Sequence, residues 1–309
     1  MVALAAALWG THALMREPLT VDLGIAASTV VLFEHVILVL CMLPWLFGAL
    51  RAWWSASIRT RVAIVLIGAG ASAVATTLFT AAIATGFVTH GQPDLITPVA
   101  LQKLQPLIAI ILAAVILAER LRPMFWLFAV PALAGAWFLA FAEPFDVTLK
   151  SAEAALLAVG AAALWASGTV LGRLVGSELS ATHITALRFF FGLVTMIVVV
   201  GGQGESYTMP WDGVPYVVAL ALIVGLLALS LYYRGLRNTP ASRATFAELA
   251  FPLTAAAVGL ALGRNLVWNQ WVGFAIVLVA VTALALHENR SRNPAVVVPD
   301  RVEDAISAP

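Results

Sequence analysis

The sequence predicts an all-α integral membrane protein with ten transmembrane helices, arranged as two inverted five-helix repeats. Three observations support this fold class: high hydrophobicity, ten long apolar segments, and similar motifs in the two halves of the chain. Hydrophobic residues make up 62% of the 309 residues and charged residues only 11%, whereas charged residues are about 25% of a typical soluble domain. Most of the chain is therefore expected to lie in lipid.

Ten segments are apolar enough to cross a hydrocarbon core, which needs about 20 residues of helix. The first segment is the shortest, with fewer residues before Trp9 than the sixth has before Trp165, and this leaves open a start upstream of Met1. A cleaved signal peptide is the competing interpretation, but no basic region precedes the apolar run. The predicted spans are 2–15, 25–49, 62–86, 97–118, 123–142, 152–173, 182–201, 214–234, 240–262 and 267–286.

Two pairs of segments repeat across the chain. The stretch from Leu101 to Leu121 has a proline near its start, a long apolar run and a polar pair before the final leucine, and Leu249 to Leu266 has the same plan. Ala-Leu-Trp-Gly from Ala7 to Gly10 similarly matches Ala-Leu-Trp-Ala from Ala163 to Ala166. The predicted organisation is a first repeat at 1–142, a connecting loop at 143–151, a second repeat at 152–286 and a disordered cytoplasmic tail at 287–309.

The orientation follows from the basic residues. With the N-terminus inside, twelve arginines fall on the cytoplasmic side, against Arg16, Lys150 and Arg264 outside. Both termini are therefore predicted to be cytoplasmic, in a cell inner membrane. Because five spans per half is an odd number, the second half crosses the bilayer upside down relative to the first. Inverted repeats with a site at their interface are typical of alternating-access transporters.

Four charged residues within the spans are the main candidates for handling substrate or protons: Glu34, Lys103, Arg188 and Glu248. A charge at mid-membrane costs about 2.5–3.5 kcal/mol even on insertion scales, so such residues face protein or water. Our hypothesis is that Glu34 and Lys103 form an outer cluster, and Arg188 and Glu248 an inner one. Two structural ion pairs without a transport role are the alternative.

A second group of candidates for the cavity is polar or aromatic. Trp9 and Trp165 occupy equivalent places in the repeats, and Gln102 and Gln105 flank the Lys103 position. His35 follows Glu34 and could take part in proton coupling. Interior packing explains each of these five residues as well.

For one connection and one pair of tyrosines, a structural explanation is favoured over a role in transport. The connection at 87–96 is longer than its counterpart in the second half and could form an external lid, although surface-loop drift explains it too. Tyr232 and Tyr233, at the end of a span, could supply hydroxyl groups to the cavity. Anchoring of the chain at the membrane interface is the favoured explanation, as for tryptophans near span ends.

Several classes of function are excluded or disfavoured. The net charge of +1 excludes a polybasic nucleic-acid binder, and the single Cys41 excludes a disulfide scaffold or a thiolate metal site. The sequence has no hydrolase elbow, zinc-protease helix, P-loop or dinucleotide fingerprint, and its five histidines are scattered. We therefore predict no catalytic residues, no metal and no cofactor.

The order of motifs resembles the EamA family of the drug/metabolite transporter superfamily. It comprises Ala-Leu-Trp-Gly in the first span, Ala186-Leu-Arg-Phe189, Leu231-Tyr-Tyr-Arg-Gly-Leu236, and the proline helix that ends in Leu-Ala-Glu-Arg-Leu. The resemblance implies a ten-helix carrier with a central cavity, peripheral fifth and tenth helices, and export of amino acids or other small metabolites. Glu34 stands where the family has an arginine early in the second span, and Arg264-Asn265 replaces a glutamate at the end of the ninth.

The predicted function is secondary active export of a small organic metabolite by alternating access. Its partners are a small-molecule substrate, the lipid bilayer and, in the coupled version, protons. Burial raises the pKa of a carboxylic acid and a nearby cation lowers it, so breaking such a pair offers a route to proton antiport. An importer or uncoupled facilitator of the same fold is the nearest alternative. A non-transporting membrane enzyme or assembly factor is the alternative from another class. The oligomeric state is left open.

Overall fold

The computed structural model is helical, apart from one pair of two-residue strands, in the residues that it describes. These are residues 1–79, 81–82, 101–102, 104–141, 143–146, 152–263, 265–290 and 296–297. The helices are α1 (Val2–Trp9), α2 (Ala13–Glu17), α3 (Ala27–Ser55), α4 (Ile58–Phe79), α5 (Gln105–Ile116), α6 (Pro123–Ala140), α7 (Ala152–Val175), α8 (Ala181–Gln203), α9 (Trp211–Leu236), α10 (Ala241–Ala261) and α11 (Trp268–Arg290). The strands, β1 (Arg120–Leu121) and β2 (Val296–Val297), pair antiparallel.

Within the described residues, eight helices are long and apolar enough to cross a membrane: α3, α4, α6, α7, α8, α9, α10 and α11. The all-helical membrane fold is thus confirmed. Of the other two predicted spans, 2–15 is divided between α1 and α2, and the described part of 97–118 is the 12-residue helix α5. The count of ten and the inverted repeat remain predictions.

The first predicted span is interrupted where its backbone approaches another helix closely. Between α1 and α2 the chain passes through Gly10, Thr11 and His12. A Cβ atom added at Gly10 would lie 2.7 Å from the carbonyl oxygen of Phe251 in α10 and 2.7 Å from Cβ of Thr254. Only glycine fits this contact, which brings the first span against α10.

Wide π-helical turns occur within two of the long helices. In α4 they cover Leu66–Val74, and in α9 they cover Leu220–Leu227. Such turns are rare and frequently mark functional sites, because they displace carbonyl groups from the regular α-helical ladder. Neither stretch was singled out by the sequence, since both consist of apolar and small residues.

The largest core cluster joins both halves of the chain. It contains Leu38 of α3, Ile64 of α4, Val170 of α7, Leu187 of α8 and Tyr233 of α9. Helix α3 packs along α8, while α4 packs on both α7 and α8. This interleaving brings polar side chains of the two halves together inside the bundle.

Helices α6 and α11 pack chiefly on each other and share a separate core cluster with α10. At their crossing, a Cβ atom added to Gly273 would lie 2.5 Å from the backbone nitrogen of Leu139 and 2.6 Å from the carbonyl oxygen of Gly135. Small residues that allow such approach are typical of helix contacts in membranes.

The outer surface of the helices is apolar, as expected for lipid-facing helices. Phe47 of α3, Val115 of α5 and Val198 of α8 are all largely exposed. Six of the seven tryptophans near span ends are also exposed: Trp45, Trp54, Trp126, Trp211, Trp268 and Trp271. The exception is Trp53, which is half-buried and donates to the carbonyl oxygen of Arg61 at 3.0 Å.

Candidate functional site

Glu248 lies at an interruption of α10, between the segments Ala241–Ala247 and Ala250–Ala261. Its carboxylate accepts hydrogen bonds from Tyr232 OH at 2.8 Å, Thr169 Oγ1 at 3.0 Å and Gln105 Nε2 at 3.3 Å. The Tyr232 and Thr169 hydroxyls are themselves 2.9 Å apart. The donors stand on α9, α7 and α5, so three other helices converge on this one acid.

The two sides of this network come from different halves of the chain. Gln105 belongs to the first half, whereas Thr169, Tyr232 and Glu248 belong to the second. Of the Gln102 and Gln105 pair, Gln105 is the one observed to bond with Glu248, and Gln102 lies half-buried one turn earlier. Relative movement of the halves would therefore change the hydrogen bonds of a partly buried carboxylate.

Arg188 of α8 lies beside this network. Its Nη1 donates to Tyr233 OH at 2.8 Å, and its Cζ atom is 6.0 Å from the centre of the Tyr233 ring. Its Nε is buried and has no hydrogen-bond partner among the described residues. The guanidinium is within electrostatic range of both Glu248 and Glu34.

Arg188 and Glu248 do not form a direct ion pair in this structure, and their common role in an inner polar cluster stays a prediction. No ion pair joins these two described residues, because the tyrosines at the end of α9 come between them in the hydrogen-bonding scheme. Tyr232 donates to the acid and Tyr233 accepts from the base. A carboxylate held by neutral donors keeps more freedom to exchange partners than one locked into an ion pair.

Glu34 is 9% exposed and pairs with Arg16, whose Nη2 is 3.3 Å from Oε2 of the acid. Arg16 belongs to α2, and its Nε is buried without a hydrogen-bond partner among the described residues. We had placed Arg16 in an outer connection and paired Glu34 with Lys103. Lys103 lies outside the described residues, as does the predicted lid at 87–96.

His35 is buried between α3 and α8. Its Nδ1 is 2.8 Å from the carbonyl oxygen of Val31, and its ring meets Phe189 edge-on with the centroids 6.2 Å apart. A Cβ atom added at Gly192 would lie 2.5 Å from His35 Nε2, so the ring fills the space left by that glycine. Nε2 has no hydrogen-bond partner among the described residues.

The two tryptophan candidates differ in their surroundings. Trp9 lies against Tyr232 with ring centroids 5.0 Å apart, and its indole nitrogen donates to the carbonyl oxygen of Val224 at 3.2 Å. Val224 lies in the π-helical part of α9. Trp165 packs on Phe79 at 5.3 Å, and the described contacts do not place it at Glu248.

Sequence reasoning missed several residues of this network. Tyr232 and Tyr233 were expected to anchor the chain at the interface, but they are 3% and 1% exposed and their hydroxyls bond to Glu248 and Arg188. Thr169 was not singled out, although it lies four residues after Trp165 and so on the same helix face. Hydroxyl side chains are neutral, and the sequence of an apolar helix does not show which of them will contact a charged residue on another helix.

No cluster of three or more potential metal ligands, counting His, Cys, Asp and Glu, occurs in the described part of the chain. What the network offers instead is an acid, a nearby base and hydroxyl groups at an interface between helices. Such a set binds a polar solute by exchanging internal hydrogen bonds for bonds to the solute. The acid is also able to accept a proton.

Comparison with known proteins adds the family. Residues 152–286 match the profile of the EamA-like transporter family. Over these residues the chain is similar to that family. The resemblance predicted from the order of the motifs is thereby confirmed, and EamA-like helices supply Arg188, Tyr232 and Glu248.

Two curated relatives extend the comparison. Uncharacterized transporter YwfM of Bacillus subtilis is 28% identical over 181 residues, which is 58% of this chain and 60% of that protein. Riboflavin transporter ImpX of Fusobacterium nucleatum is 29% identical over 185 residues, which is 58% of this chain and 62% of that protein. The chain thus spans about 60% of the length of the curated relatives it matches.

A solved crystal structure shares the fold. It superposes with a TM-score of 0.73 over 94% of this chain and 98% of that chain, at 17% sequence identity. At this identity the match shows the fold of the EamA-like chain and not its substrate.

Proposed function

We propose that this EamA-like chain is a secondary active transporter that exports a small organic molecule by alternating access. Ten helices form two inverted five-helix repeats, at 1–142 and 152–286, joined by a loop at 143–151 and followed by a cytoplasmic tail at 287–309. The chain lies in the inner membrane with both termini cytoplasmic. Import and uncoupled facilitation by the same fold are distinguished from export by the flux experiment below.

One observation supports this function above the others: the Glu248 carboxylate is bound by Gln105 of the first half and by Thr169 and Tyr232 of the second. A binding site shared by two bundles is what alternating access requires, because rocking of the bundles exposes it to each side in turn.

The inverted repeat has independent structural support. The two helices with long π-helical turns, α4 and α9, cover the predicted third and eighth spans, which are counterparts in the two repeats. In α9 the Val224 carbonyl accepts the indole hydrogen of Trp9 from the first half. Irregular turns in matching helices favour a duplicated ancestor with a site at the interface of the halves.

The substrate is proposed to be a small polar molecule with an apolar or aromatic part. Glu248 and Arg188 supply opposite charges, while Trp9 and Tyr232 supply aromatic faces beside them. Riboflavin is a useful first compound to test, because one relative is named as its transporter and because it combines a flat ring with hydroxyl groups. Proton coupling is assigned to Glu248, which exchanges a proton as its hydroxyl and amide donors separate.

The function is tested in two steps with purified protein. A thermal-stabilisation screen against riboflavin, amino acids, nucleosides, sugars and cationic drugs at two pH values identifies a ligand through a raised melting temperature. Flux of that ligand is then measured in proteoliposomes with and without a pH gradient, from inside and from outside. We expect flux driven by the proton gradient. A ligand that is chemically converted without crossing the bilayer would contradict transport.

A further inference from the structure

Glu119 binds the start of α10, although it belongs to the other half of the chain. Its side chain is 3% exposed. Oε1 accepts the backbone N–H of Ala241 at 2.7 Å, and Oε2 accepts both the backbone N–H of Ser242 at 2.9 Å and its hydroxyl at 2.6 Å. These are short, charge-assisted hydrogen bonds, and they also complement the positive end of the helix dipole.

The backbone is bent to bring Glu119 to this position. Ala118 has a φ of 52° and is the one non-glycine residue with positive φ in the described part of the chain. The left-handed conformation is unfavourable for a residue with a Cβ atom. Since strained residues persist where the surrounding structure holds them, the contacts of Glu119 help to offset this strain.

Glu178 makes the same kind of contact, but here the acid is in the second half of the chain and the helix start is in the first half. It lies in the turn between α7 and α8 and accepts the backbone N–H of Ser57 at 2.9 Å. It also accepts the hydroxyls of Ser57 and Thr60, both at 2.6 Å. Ser57 is the N-cap of α4, in the first half, so the second half binds a helix start of the first.

All four contact points lie between the end of an even-numbered predicted span and the start of the next helix, or at that helix start. Ser57 follows the second span, Glu119 the fourth, Glu178 the sixth and Ala241 the eighth. In a serially crossing chain these connections share one side of the membrane, which is the cytoplasmic side in the proposed orientation. The halves are therefore tied to each other there by two carboxylates.

The opposite side has lost the equivalent acid. When the repeats are superposed by their proline helices, Glu119 corresponds to Arg264-Asn265, where the sequence has no carboxylate. Two inverted halves that were fully equivalent would close each side with equal strength. This chain can form the carboxylate contact of the repeated motif on one side only.

We propose that Glu119 and Glu178 form a two-point latch that closes the cytoplasmic face, and that the transporter rests with this face closed. The latch releases when the halves separate and re-forms after the substrate has left. The proposal rests on alternating access as the proposed function. A set of permanent helix caps that stays intact in every state is the contrasting possibility, and it makes different predictions.

The first test measures how fast a water-soluble reagent reaches a residue between the latch and Glu248 from the cytoplasmic side. Thr245 of α10 lies one turn beyond Ser242 on the way to Glu248, is 1% exposed, and its hydroxyl has no hydrogen-bond partner among the described residues. In a Cys41→Ser background, Thr245→Cys is labelled with a membrane-impermeant maleimide in inside-out vesicles. Glu119→Ala and Glu178→Ala together should raise the labelling rate about tenfold or more, the effect of losing hydrogen bonds to charged groups.

The matched control is Glu153→Ala, which removes an exposed acid at the start of α7. Its labelling rate should equal that of the background. An unchanged rate in the double variant, with the protein still monodisperse, would overturn the latch. Because this assay needs no substrate, it gives a result even if the transport proposal fails.

A second test replaces one latch contact with a reversible covalent link. Glu119→Cys and Ser242→Cys are combined in the Cys41→Ser background, since the native side chains are already in contact. A short bis-methanethiosulfonate cross-linker joins the two cysteines through disulfide bonds. Cross-linking should abolish flux, and reductive cleavage should restore it. Full flux through the cross-linked protein would show a permanent cap and refute the latch, while leaving the transport function intact.

Discussion

At the scale of single residues, Glu248 and Arg188 are both partly buried, and each forms a hydrogen bond with a neighbouring tyrosine and not with the other charged residue. Tyr232 donates to Glu248, and Tyr233 accepts from Arg188. Neutral partners stabilise each charge with hydrogen bonds that a substrate or water can replace. In the proposed transport cycle, both charged groups are available to a solute that enters between the halves.

Removing the Tyr232 hydroxyl tests this arrangement. Tyr232→Phe keeps the ring against Trp9 but deletes the 2.8 Å hydrogen bond to Glu248. A hydrogen bond to a charged group is worth about 1.5–3 kcal/mol, so transport efficiency should fall about tenfold or more. Initial rates in proteoliposomes measure it. Tyr216→Phe, at an exposed position of α9, serves as the control and should transport normally.

The sequence predicted Glu248, Arg188, Gln105 and Trp9 but not their partners. Charged groups in apolar helices stand out because they are costly there. Tyrosine and threonine are compatible with both a packed interior and an interface, so their roles depend on how the helices are placed. The same reason explains why Arg16 was assigned to a connection, whereas the structure pairs it with Glu34.

At the scale of helices, close backbone approach and helix caps determine the packing. Gly10 sets the first span against α10, while Gly135 and Gly273 set α6 against α11. The caps of α4 and α10 come from carboxylates in the other half of the chain. Such contacts depend on three-dimensional placement, and a single sequence gives no sign of them.

Substituting Gly273 tests the α6–α11 contact. In Gly273→Ala the new methyl group would lie 2.5 Å from the nitrogen of Leu139, so the helices must move apart. Overpacking of this kind typically costs about 1–3 kcal/mol, and the melting temperature in detergent should fall by several degrees. Gly202→Ala is the control, because a Cβ atom there meets nothing within 4 Å. Equal melting temperatures for the two variants would contradict the contact.

The pH dependence of stability tests the Glu178 cap. Partial burial raises the pKa of Glu178, but hydrogen bonds from Ser57 and Thr60 lower it more, and the net pKa lies below the usual 4.5. An acid with a depressed folded pKa stabilises the protein above its unfolded pKa and loses this effect as the pH falls through the folded value.

The Glu178→Gln variant should therefore melt below the native protein at neutral pH. The difference in melting temperature should shrink as the pH falls from the unfolded pKa through the lowered pKa of the native carboxylate. Melting curves of both proteins from pH 7 to pH 3.5 measure it. A difference that is constant with pH would exclude an ionised cap.

At the scale of the whole molecule, composition and span length were enough to predict an all-helical membrane protein, because burial in lipid leaves few alternatives. Eight of the predicted spans match long apolar helices in the described residues. The broken first span was not foreseen, since the approach of Phe251 to Gly10 is a contact between distant parts of the chain. The match of the second half to the EamA-like family agrees with the order of motifs in the sequence. The substrate and the direction of transport cannot be predicted from the pattern of apolar helices.

We propose that substrate binds at the Glu248 network, which both halves share, while it is carried across the membrane. This proposal is tested most directly by proteoliposome flux of the ligand from the stabilisation screen, comparing native protein, Glu248→Gln and Glu153→Gln at matched insertion. We predict that Glu248→Gln loses about tenfold or more of the flux and any dependence on the pH gradient, while Glu153→Gln behaves as native. Full, pH-dependent flux through Glu248→Gln would contradict the account.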